Sequence, residues 1–405
     1  MKVIVGMSGG VDSSVTAYLL KEQGYEVEGV SFILYEARLR NTLTGCCSIE
    51  SINDAGRTAE RIGIRHTALD LRDEFMAHVI EPFLDAYSKG MTPNPCILCN
   101  KHIKFPYLLK VADEKNAESI ATGHYARIER IQNSEFRSRN ITYLKKSVDP
   151  KKDQSYVLYV LNQEELNRLV LPLGDKRKEE VRRIARELSL PAAERPESQE
   201  ICFIEDKKYF RLLDNITGPK EGAIIDVETG KILGMHKGIH HYTVGQRKRL
   251  NIATGKPLYV ARIDPSENAV YVGPKESAMM REFVVQDINW LVSPQPFLRI
   301  TPPPTAPPLF ASANPPERGK VRGGRGSSDS VGNAAVKSGL EEFSVFRSSV
   351  KVRSMMKDEP AAINILNDST VSVVFDEPQW APAPGQSAVF YDGDVVIGGG
   401  VISRD

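Results

Sequence analysis

With 405 residues, 41% of them hydrophobic and 26% charged, and a formal charge of +1, the chain has the make-up of a soluble globular protein of two or three domains. Near neutrality excludes a global field for holding nucleic acid, so any such binding falls to local basic patches. No apolar run approaches the ~20 residues of a membrane helix. The start, "MKVIVGMSGG", reads as a strand entering a glycine turn rather than a cleavable leader. Five cysteines, an odd number, point to reduced thiols in a cytosolic setting and not to a disulfide framework.

From residue 1 to about 125, "KVIVGM", "EVEGVSFIL", "IRHTALDL" and "ESIATG" predict buried strands, with helices at "DSSVTAYLLKEQG" and "IESINDAGRTAERIG". Such alternation argues for an α/β fold, a parallel sheet covered by helices on both faces. The helical stretches "QSYVLYVLNQEELNRLV" and "KRKEEVRRIARELS" carry this first domain, 1–205, to its end. From 206 to 278 the helical period gives way to hairpin patterns at "GAIIDVETGKILG", "HHYTVGQRK" and "PLYVARIDPSENAVYVG", a small β module. Residues 279–405 read as an antiparallel barrel built from "EFVVQDINWLV", "FRSSVKVRS", "AAINILNDSTVSVVFDE" and "SAVFYDGDVVIGGGVI". It is interrupted at about 296–342 by a Pro-, Gly-, Ser- and base-rich insertion too poor in apolar residues to offset its ordering entropy. That insertion is expected to be disordered, as a solvated linker or as a segment grazing a nucleic-acid backbone.

The stretch "GMSGGVDSS", Gly6 to Ser14, leaves the first strand and opens the first helix. Its glycines admit a phosphate closely, the N–H groups of Gly9, Gly10 and the first turn form an anion nest, and Ser8, Ser13 and Ser14 add hydroxyls. Asp12 repels polyphosphate unless it caps the helix or binds the Mg2+ that accompanies a nucleotide. The loop lacks a Walker A lysine and does not fit G-x-G-x-x-G; alone, it also reads as a Ser/Gly turn with an Asp-capped helix. "TPNPCILCNKHIKF" sets Cys96 and Cys99 three apart, a spacing that serves zinc ribbons, redox helices and cluster sites alike. Cys202 in "ESQEICFI" reads by itself as a small core hydrophobe.

The strand, S-G-G-x-D-S loop and helix resemble the PP-loop of ATP pyrophosphatases. Seven stretches in order, GMSGGVDSS, TPNPCILCNKHIKF, ATGHYARI, KKDQSYVLY, ESQEICFI, GIHHYTVGQRK and PGQSAV, resemble the tRNA-specific 2-thiouridylase (MnmA) family over nearly the whole chain apart from the insertion. The resemblance implies a PP-loop domain followed by two mainly antiparallel β modules. It also implies an enzyme that uses ATP and Mg2+ to replace the C2 oxygen of the wobble uridine by sulfur in Lys-, Glu- and Gln-type tRNA, through adenylation of that oxygen.

The same resemblance implies ATP contacts at Gly6, Met7, Ser8, Gly9, Gly10, Val11, Asp12, Ser13, Leu34 and Gly123. It implies tRNA contacts at Asn94, Pro95, Cys96, His124, Lys152, Asp153, Gln154, Arg353, Ser354 and Gln386, although His124 also reads as a satisfied loop histidine. In the family the cysteine matching Cys202 receives sulfur as a persulfide from a donor protein, a persulfide relay or a cysteine desulfurase. The one matching Cys99 then takes part in sulfur release and can form a disulfide with it. Thiol chemistry agrees, since a persulfide is a good nucleophile that a second thiolate can resolve. Arg247, Lys248 and Arg249 are candidate phosphate contacts.

Two departures stand out. Many relatives read N-P-D where this chain reads Asn94-Pro95-Cys96; that aspartate is assigned an acid–base role, so Cys96 replaces it or the mechanism differs. Arg353 matches the start of an R-Y-R-Q pattern from which Ser354, Met355 and Met356 depart. Cys96, Cys99 and Cys202 are also the three thiolates that a [4Fe-4S] cluster with one open iron requires, and both routes remain open at this level. Cys46 and Cys47 read as structural or incidental. The alternatives are another PP-loop ATPase, such as an amidotransferase-type synthetase or a tRNA lysidine synthase, and a tRNA-binding protein that keeps the loop without catalysis. The three cysteines and the PGQSAV tail argue against the former, and the intact Ser8, Gly9, Gly10 and Asp12 against the latter. The expected setting is cytoplasmic, without membrane attachment, as a monomer in the absence of tRNA.

Overall fold

In the computed structural model, which describes residues 1–35, 49–131, 141–193, 201–204, 210, 213–214, 218, 220–252, 255–294 and 345–404, Val3, Ile4 and Val5 are fully buried in the first strand, β1 (Lys2–Gly6). Such a continuous apolar run suits a strand covered on both faces. It is followed by β2 (Glu26–Ile33), β3 (Arg65–Asp70), β4 (Ser119–Ala121), β5 (Ala126–Ile131), β6 (Ile141–Lys146) and β7 (Leu169–Val170). The order β3-β2-β1-β4-β7, with every pair parallel, makes the expected sheet.

Alternation along β1 divides the core. Val3 and Val5 pack with Ala17 and Leu20 of helix α1 (Val11–Glu22) and with Ala55 and Ala59 of helix Ile49–Ile62. Ile4 faces the opposite layer with Phe32, Leu108 and Ile120. The chain leaves β1 toward β2 and β3, then returns on the other side to β4. The strand order therefore reverses between β1 and β4, and open α/β sheets bind ligands at the carboxyl ends beside such a reversal.

The second module contains β8 (Gly222–Asp226), β9 (Ile232–His236), β10 (Tyr259–Asp264) and β11 (Ala269–Gly273). Two antiparallel hairpins join through a parallel β11–β8 pair. The hairpin expected in "HHYTVGQRK" does not form. Ile239–His241 is a 3-10 turn, and Gly245 at φ +85 lies so close to the third module that a Cβ there would meet Ala381 at 2.6 Å. The stretch pairs with β10 at one point only, Gly245 N–H donating to the Val260 carbonyl at 2.7 Å and Val260 N–H to the Gln246 carbonyl at 2.9 Å, and the glycine admits the close approach of Ala381 and Trp380.

In the third module β12 (Met279–Trp290), β13 (Val345–Lys351), β14 (Glu359–Asn367), β15 (Thr370–Trp380), β16 (Ser387–Asp392) and β17 (Val395–Ile402) close a six-stranded barrel. Closure depends on β12, whose first half pairs with β15 and whose second half pairs with β17, so neither end strand is left open. The sequence reading missed β5 and β6: they form an antiparallel hairpin that leaves the first domain and joins the barrel sheet at Lys145 opposite Val395. Arg127 cements this junction, donating to Asp394 at 2.6 Å.

A second seam forms at "PGQSAV". Thr92 N–H donates to the Pro384 carbonyl at 2.7 Å, and the Gln386 amide donates to the Thr92 carbonyl at 2.7 Å. Gly385, at φ +86, leaves only 2.9 Å for a Cβ against Met91. Beneath it the Tyr156 hydroxyl donates to the Ser387 carbonyl at 2.8 Å, and Tyr159 meets Ser387 Oγ at 2.9 Å. Burial pushes the Tyr159 phenol up to about 12, so it remains protonated. No helix among the described residues is long and apolar enough to cross a membrane. The insertion at 296–342, Cys46 and Cys47 lie outside the described residues.

Candidate active site at the strand ends

The loop Gly6–Ser14 occupies the reversal point. Gly10 is the N-cap of α1, in extended conformation and with no side-chain cap, so the first-turn N–H groups lack intrahelical partners and the positive end of the helix dipole faces the loop. Gly9 has φ +73, and a Cβ there would lie 1.9 Å from the Ser51 carbonyl. Within the loop, Ser8 N–H donates to Ser13 Oγ at 3.1 Å, and Ser13 Oγ donates to the Gly10 carbonyl at 3.2 Å. Ser31 on β2 donates to the Met7 carbonyl at 2.6 Å and meets His66 Nε2 at 2.7 Å. With the hydroxyl proton already spent on Met7, the imidazole Nε2–H is the donor. The chain entering the loop is thus held from the neighbouring strands.

Asp12 does not cap the helix, and its carboxylate is paired with a cation. Both of its oxygens accept from Lys178 Nζ at 2.7 Å, and Oδ1 also accepts from the Tyr125 hydroxyl at 2.7 Å. Lys178 is buried, with its ammonium 5.6 Å from the Tyr125 ring centroid. Lys178 and Tyr125 are absent from the sequence-level candidates. The signal for Lys178 was a lysine opening the strongly amphipathic helix Lys178–Glu187, but nothing local to that helix says that it returns to the first loop. Gly123 closes the site from β4: a Cβ there would sit 2.8 Å from the Asp12 carbonyl carbon and Ser13 nitrogen. Leu34, just beyond β2, is buried in the adjoining apolar cluster.

That same cluster reaches the cysteines. Asn94 caps the short helix Pro95–Cys99 by accepting from Cys96 N–H at 3.1 Å, and Pro95 takes the first helical position, the arrangement that suits each residue type. Three residues apart on one helix, Cys96 and Cys99 share a side of it, yet Cys96 is exposed and Cys99 buried. A π-helical turn, Asn100–Lys104, follows at once, a local widening frequent at functional sites. Buried Asn100 ties this turn to the Val157 carbonyl at 2.9 Å. Cys99 belongs to the large cluster and Cys202 packs against it. Phe203, next to Cys202 in the chain, meets Phe75 and Phe83 of that cluster edge-on, at centroid distances of 5.7 and 5.4 Å.

A glycine-rich loop at a helix N-terminus and two thiols on one apolar cluster accord with what comparison shows. A tRNA methyl transferase HUP domain model matches residues 1–206, a tRNA methyl transferase PRC-barrel domain model residues 211–274, and an aminomethyltransferase beta-barrel domain model residues 335–402. The chain is 41% identical over 406 residues to the tRNA-specific 2-thiouridylase MnmA of Clostridioides difficile (strain 630), covering 100% of this chain and 98% of that one. It is 43% identical over 408 residues to MnmA 2 of Caldanaerobacter subterraneus subsp. tengcongensis, with the same coverage, and 42% identical over 406 residues to MnmA of Acetivibrio thermocellus, covering 99% of each. The chain belongs to the tRNA-specific 2-thiouridylase family.

Several residues that the thiouridylase resemblance assigns to tRNA have structural partners here. His124 is buried, hydrogen-bonded through Nδ1 to Thr122 Oγ1 at 2.8 Å and stacked on Phe105. Burial, with a smaller contribution from Lys104, holds its imidazole well below the usual range, so the ring is neutral. Asp153 accepts from Ser147 N–H and Ser155 N–H at 3.1 and 3.2 Å, folding the loop that carries Lys152. The Gln154 side chain accepts from Tyr125 N–H at 2.9 Å, fixing the backbone whose hydroxyl reaches Asp12. Arg353 donates to the Val244 and Ala381 carbonyls at 2.9 and 2.8 Å, bridging the second module and the barrel. Ser354 lies beside it, partly exposed, and Gln386 holds the Thr92 seam. Arg353 and Gln386 thus sit on joints between the parts, whereas His124, Asp153 and Gln154 brace the first domain from within.

Proposed function

We propose that this chain thiolates C2 of the wobble uridine in Lys-, Glu- and Gln-type tRNA, with Cys202 as the sulfur carrier and Cys99 as the thiol that releases the sulfur. ATP would lie along Gly6–Ser13 with Leu34 and Gly123 at its base, and Mg2+ would accompany its phosphates. The observation that carries the reading is the apolar cluster shared by Cys99 and Cys202, with Phe203 anchoring the Cys202 segment on Phe75 and Phe83.

The C2 oxygen bonds to the α-phosphorus and pyrophosphate leaves. The terminal sulfur of a Cys202 persulfide adds to C2 and AMP leaves with the former C2 oxygen. The Cys99 thiolate then attacks the Cys202 sulfur, the S–S bond to the transferred atom breaks, and its electron pair forms the thiocarbonyl. A Cys99–Cys202 disulfide remains, for an external thiol to reduce.

Cys96, exposed at the start of the helix, replaces the acid found at this position in many relatives. The base must leave its stack to reach these thiols, and Lys101 and His102, exposed just beyond Cys99, lie where the anticodon phosphates would pass. The same reading places the protein in the cytoplasm, where thiols stay reduced, as a monomer that takes sulfur from a donor protein.

The test is 2-thiouridine formation on anticodon-bearing tRNA with ATP under anaerobic conditions. An iron-free sample fed a persulfide donor is compared with an iron- and sulfide-reconstituted one. The expected result is activity in the iron-free sample, abolished in Cys202→Ser. Activity confined to the reconstituted sample overturns the carrier role and makes Cys96, Cys99 and Cys202 ligands of a [4Fe-4S] cluster.

A further inference from the structure

Far from the cysteines in sequence pattern, but only twelve positions after Cys202, Asp214 faces two neighbouring histidines. His240 Nε2 lies 2.8 Å and His241 Nε2 2.9 Å from the same carboxylate oxygen, Asp214 Oδ1. Among the described residues, this is the group of three or more His, Cys, Asp or Glu side chains whose ligand atoms all fall within 4.8 Å of one another. Both histidines come from the 3-10 turn Ile239–His241 of the second module. Asp214 comes from the connection between the first domain and that module.

The chemistry of this trio is that of a borderline divalent ion. Two imidazole nitrogens and a carboxylate suit zinc, which binds at about 2.0 to 2.2 Å from each donor. Donors around a tetrahedral ion then lie ~3.3 Å apart, so each carboxylate–imidazole separation, 2.8 and 2.9 Å, needs to open by only about half an ångström, and all three ligand atoms already lie within 4.8 Å of one another. The group is not sealed. His240 is buried, but His241 and Asp214 are partly exposed, and His241 also lines a cavity of about 330 Å³ shared with Tyr242, His236 and Arg249. The trio is therefore partly open to solvent, with the His241 ring bordering the cavity. His241 is held in place by stacking on Phe210 at 4.6 Å. His236 is not available as a ligand, because Nε2 meets the Asn268 carbonyl at 3.0 Å and Nδ1 accepts from Gly238 N–H at 3.1 Å.

The placement suggests what binding would do. Leu213, next to Asp214, is buried in the cluster that contains Cys99 and against which Cys202 packs. A bond network from Asp214 to His240 and His241 therefore ties the sulfur-carrying segment to the second module.

We propose that Asp214, His240 and His241 bind one divalent transition-metal ion of the zinc class, which locks the connection after Cys202 onto the central β module. The competing account is that the carboxylate accepts two imidazole N–H groups and binds nothing.

Zinc stoichiometry of the full-length chain, measured by competition with a chromogenic chelator, separates the two. His241→Gln and Asp214→Asn are compared with the unaltered protein. The expected result is one fewer tightly held Zn2+ in each variant, or an affinity at that equivalent at least ~100-fold lower, beyond what loss of an outer-shell partner costs. Cobalt supplied instead should give visible d–d bands lost in both variants. Because the ligands are nitrogen and oxygen, those bands should carry no thiolate charge-transfer band. Zinc should also raise Tm in a Cys96/Cys99/Cys202→Ser variant, which guards against folding defects in the histidine variants. Equal stoichiometry and affinity in all three proteins, or a Tm rise that vanishes with the cysteines, overturns the proposal.

Discussion

Lys178 holds Asp12 by both carboxylate oxygens at 2.7 Å, joining the first helix of the chain to one whose first residue lies 166 positions beyond Asp12. The pair fixes the one acidic side chain of the phosphate loop, and Tyr125 adds a third hydrogen bond. Lys178→Met should therefore lower tRNA-dependent pyrophosphate release by about 100-fold, the scale of a misplaced reacting group. Tyr125→Phe, which keeps the ring and removes the hydroxyl, should cost about tenfold. Single-turnover pyrophosphate release reads both; wild-type rates in Lys178→Met would reduce the pair to a structural strut.

Gly9 and Gly24 both have positive φ, +73 and +84, but only Gly9 faces backbone, the Ser51 carbonyl 1.9 Å from a Cβ, while Gly24 has open space. Gly24→Ala should cost ~1 kcal/mol, the left-handed penalty alone. Gly9→Ala should cost more than ~2 kcal/mol, or shift the loop and abolish ATP binding. Urea unfolding and nucleotide titration of the two variants side by side check the contrast.

Phe203 anchors the Cys202 segment, so Phe203→Ala should remove about 3 kcal/mol or more of local packing. ATP binding should survive, because the phosphate loop lies on other elements. Sulfur transfer should fall by at least tenfold. Equal losses in ATP affinity and in transfer would show that the cluster, not the cysteine placement, was damaged.

Burial lowers the proton affinity of His124 and of His66. Each stays neutral in the fold and takes up a proton in the unfolded chain below about 6.5, so the unfolded state binds more protons there. Stability is then fully present above that pH and is lost as pH falls toward the depressed folded-state values, by up to about 1.4 kcal/mol per pH unit per group. The slope of unfolding free energy between pH 7 and 5.5 should be smaller in His124→Gln than in the wild type. An unchanged slope would remove His124 from the acid response.

Strand periodicity made the parallel sheet legible, because β1, β2 and β4 are short, largely buried runs with their own turn signals; "IRHTALDL", expected as a buried strand, forms β3 but at the sheet edge and mostly exposed. The glycine-serine loop was legible for the same local reason. The β5–β6 hairpin escaped because "ARIERI" and "ITYLKK" are only half-buried strands whose partner, β17, is about 250 residues away. "HHYTVGQRK" looked like a hairpin because its pattern of β-branched and aromatic residues is the same whether the chain pairs or merely packs. Asn94, Gln154 and Gln386 illustrate a further ambiguity, since each amide makes a backbone hydrogen bond that no sequence pattern announces.

By itself, the sequence determined the order of the domains, the phosphate loop and the cysteines on which the chemistry rests, since these depend on short-range conformational preference and on residue type. Only the tertiary structure decided which groups meet: Lys178 with Asp12, Phe203 with Phe75 and Phe83, Arg353 across two modules, and Asp214 with His240 and His241. Such encounters arise where distant segments bury apolar surface together, and burial depends on the whole chain rather than on the spacing of any one stretch.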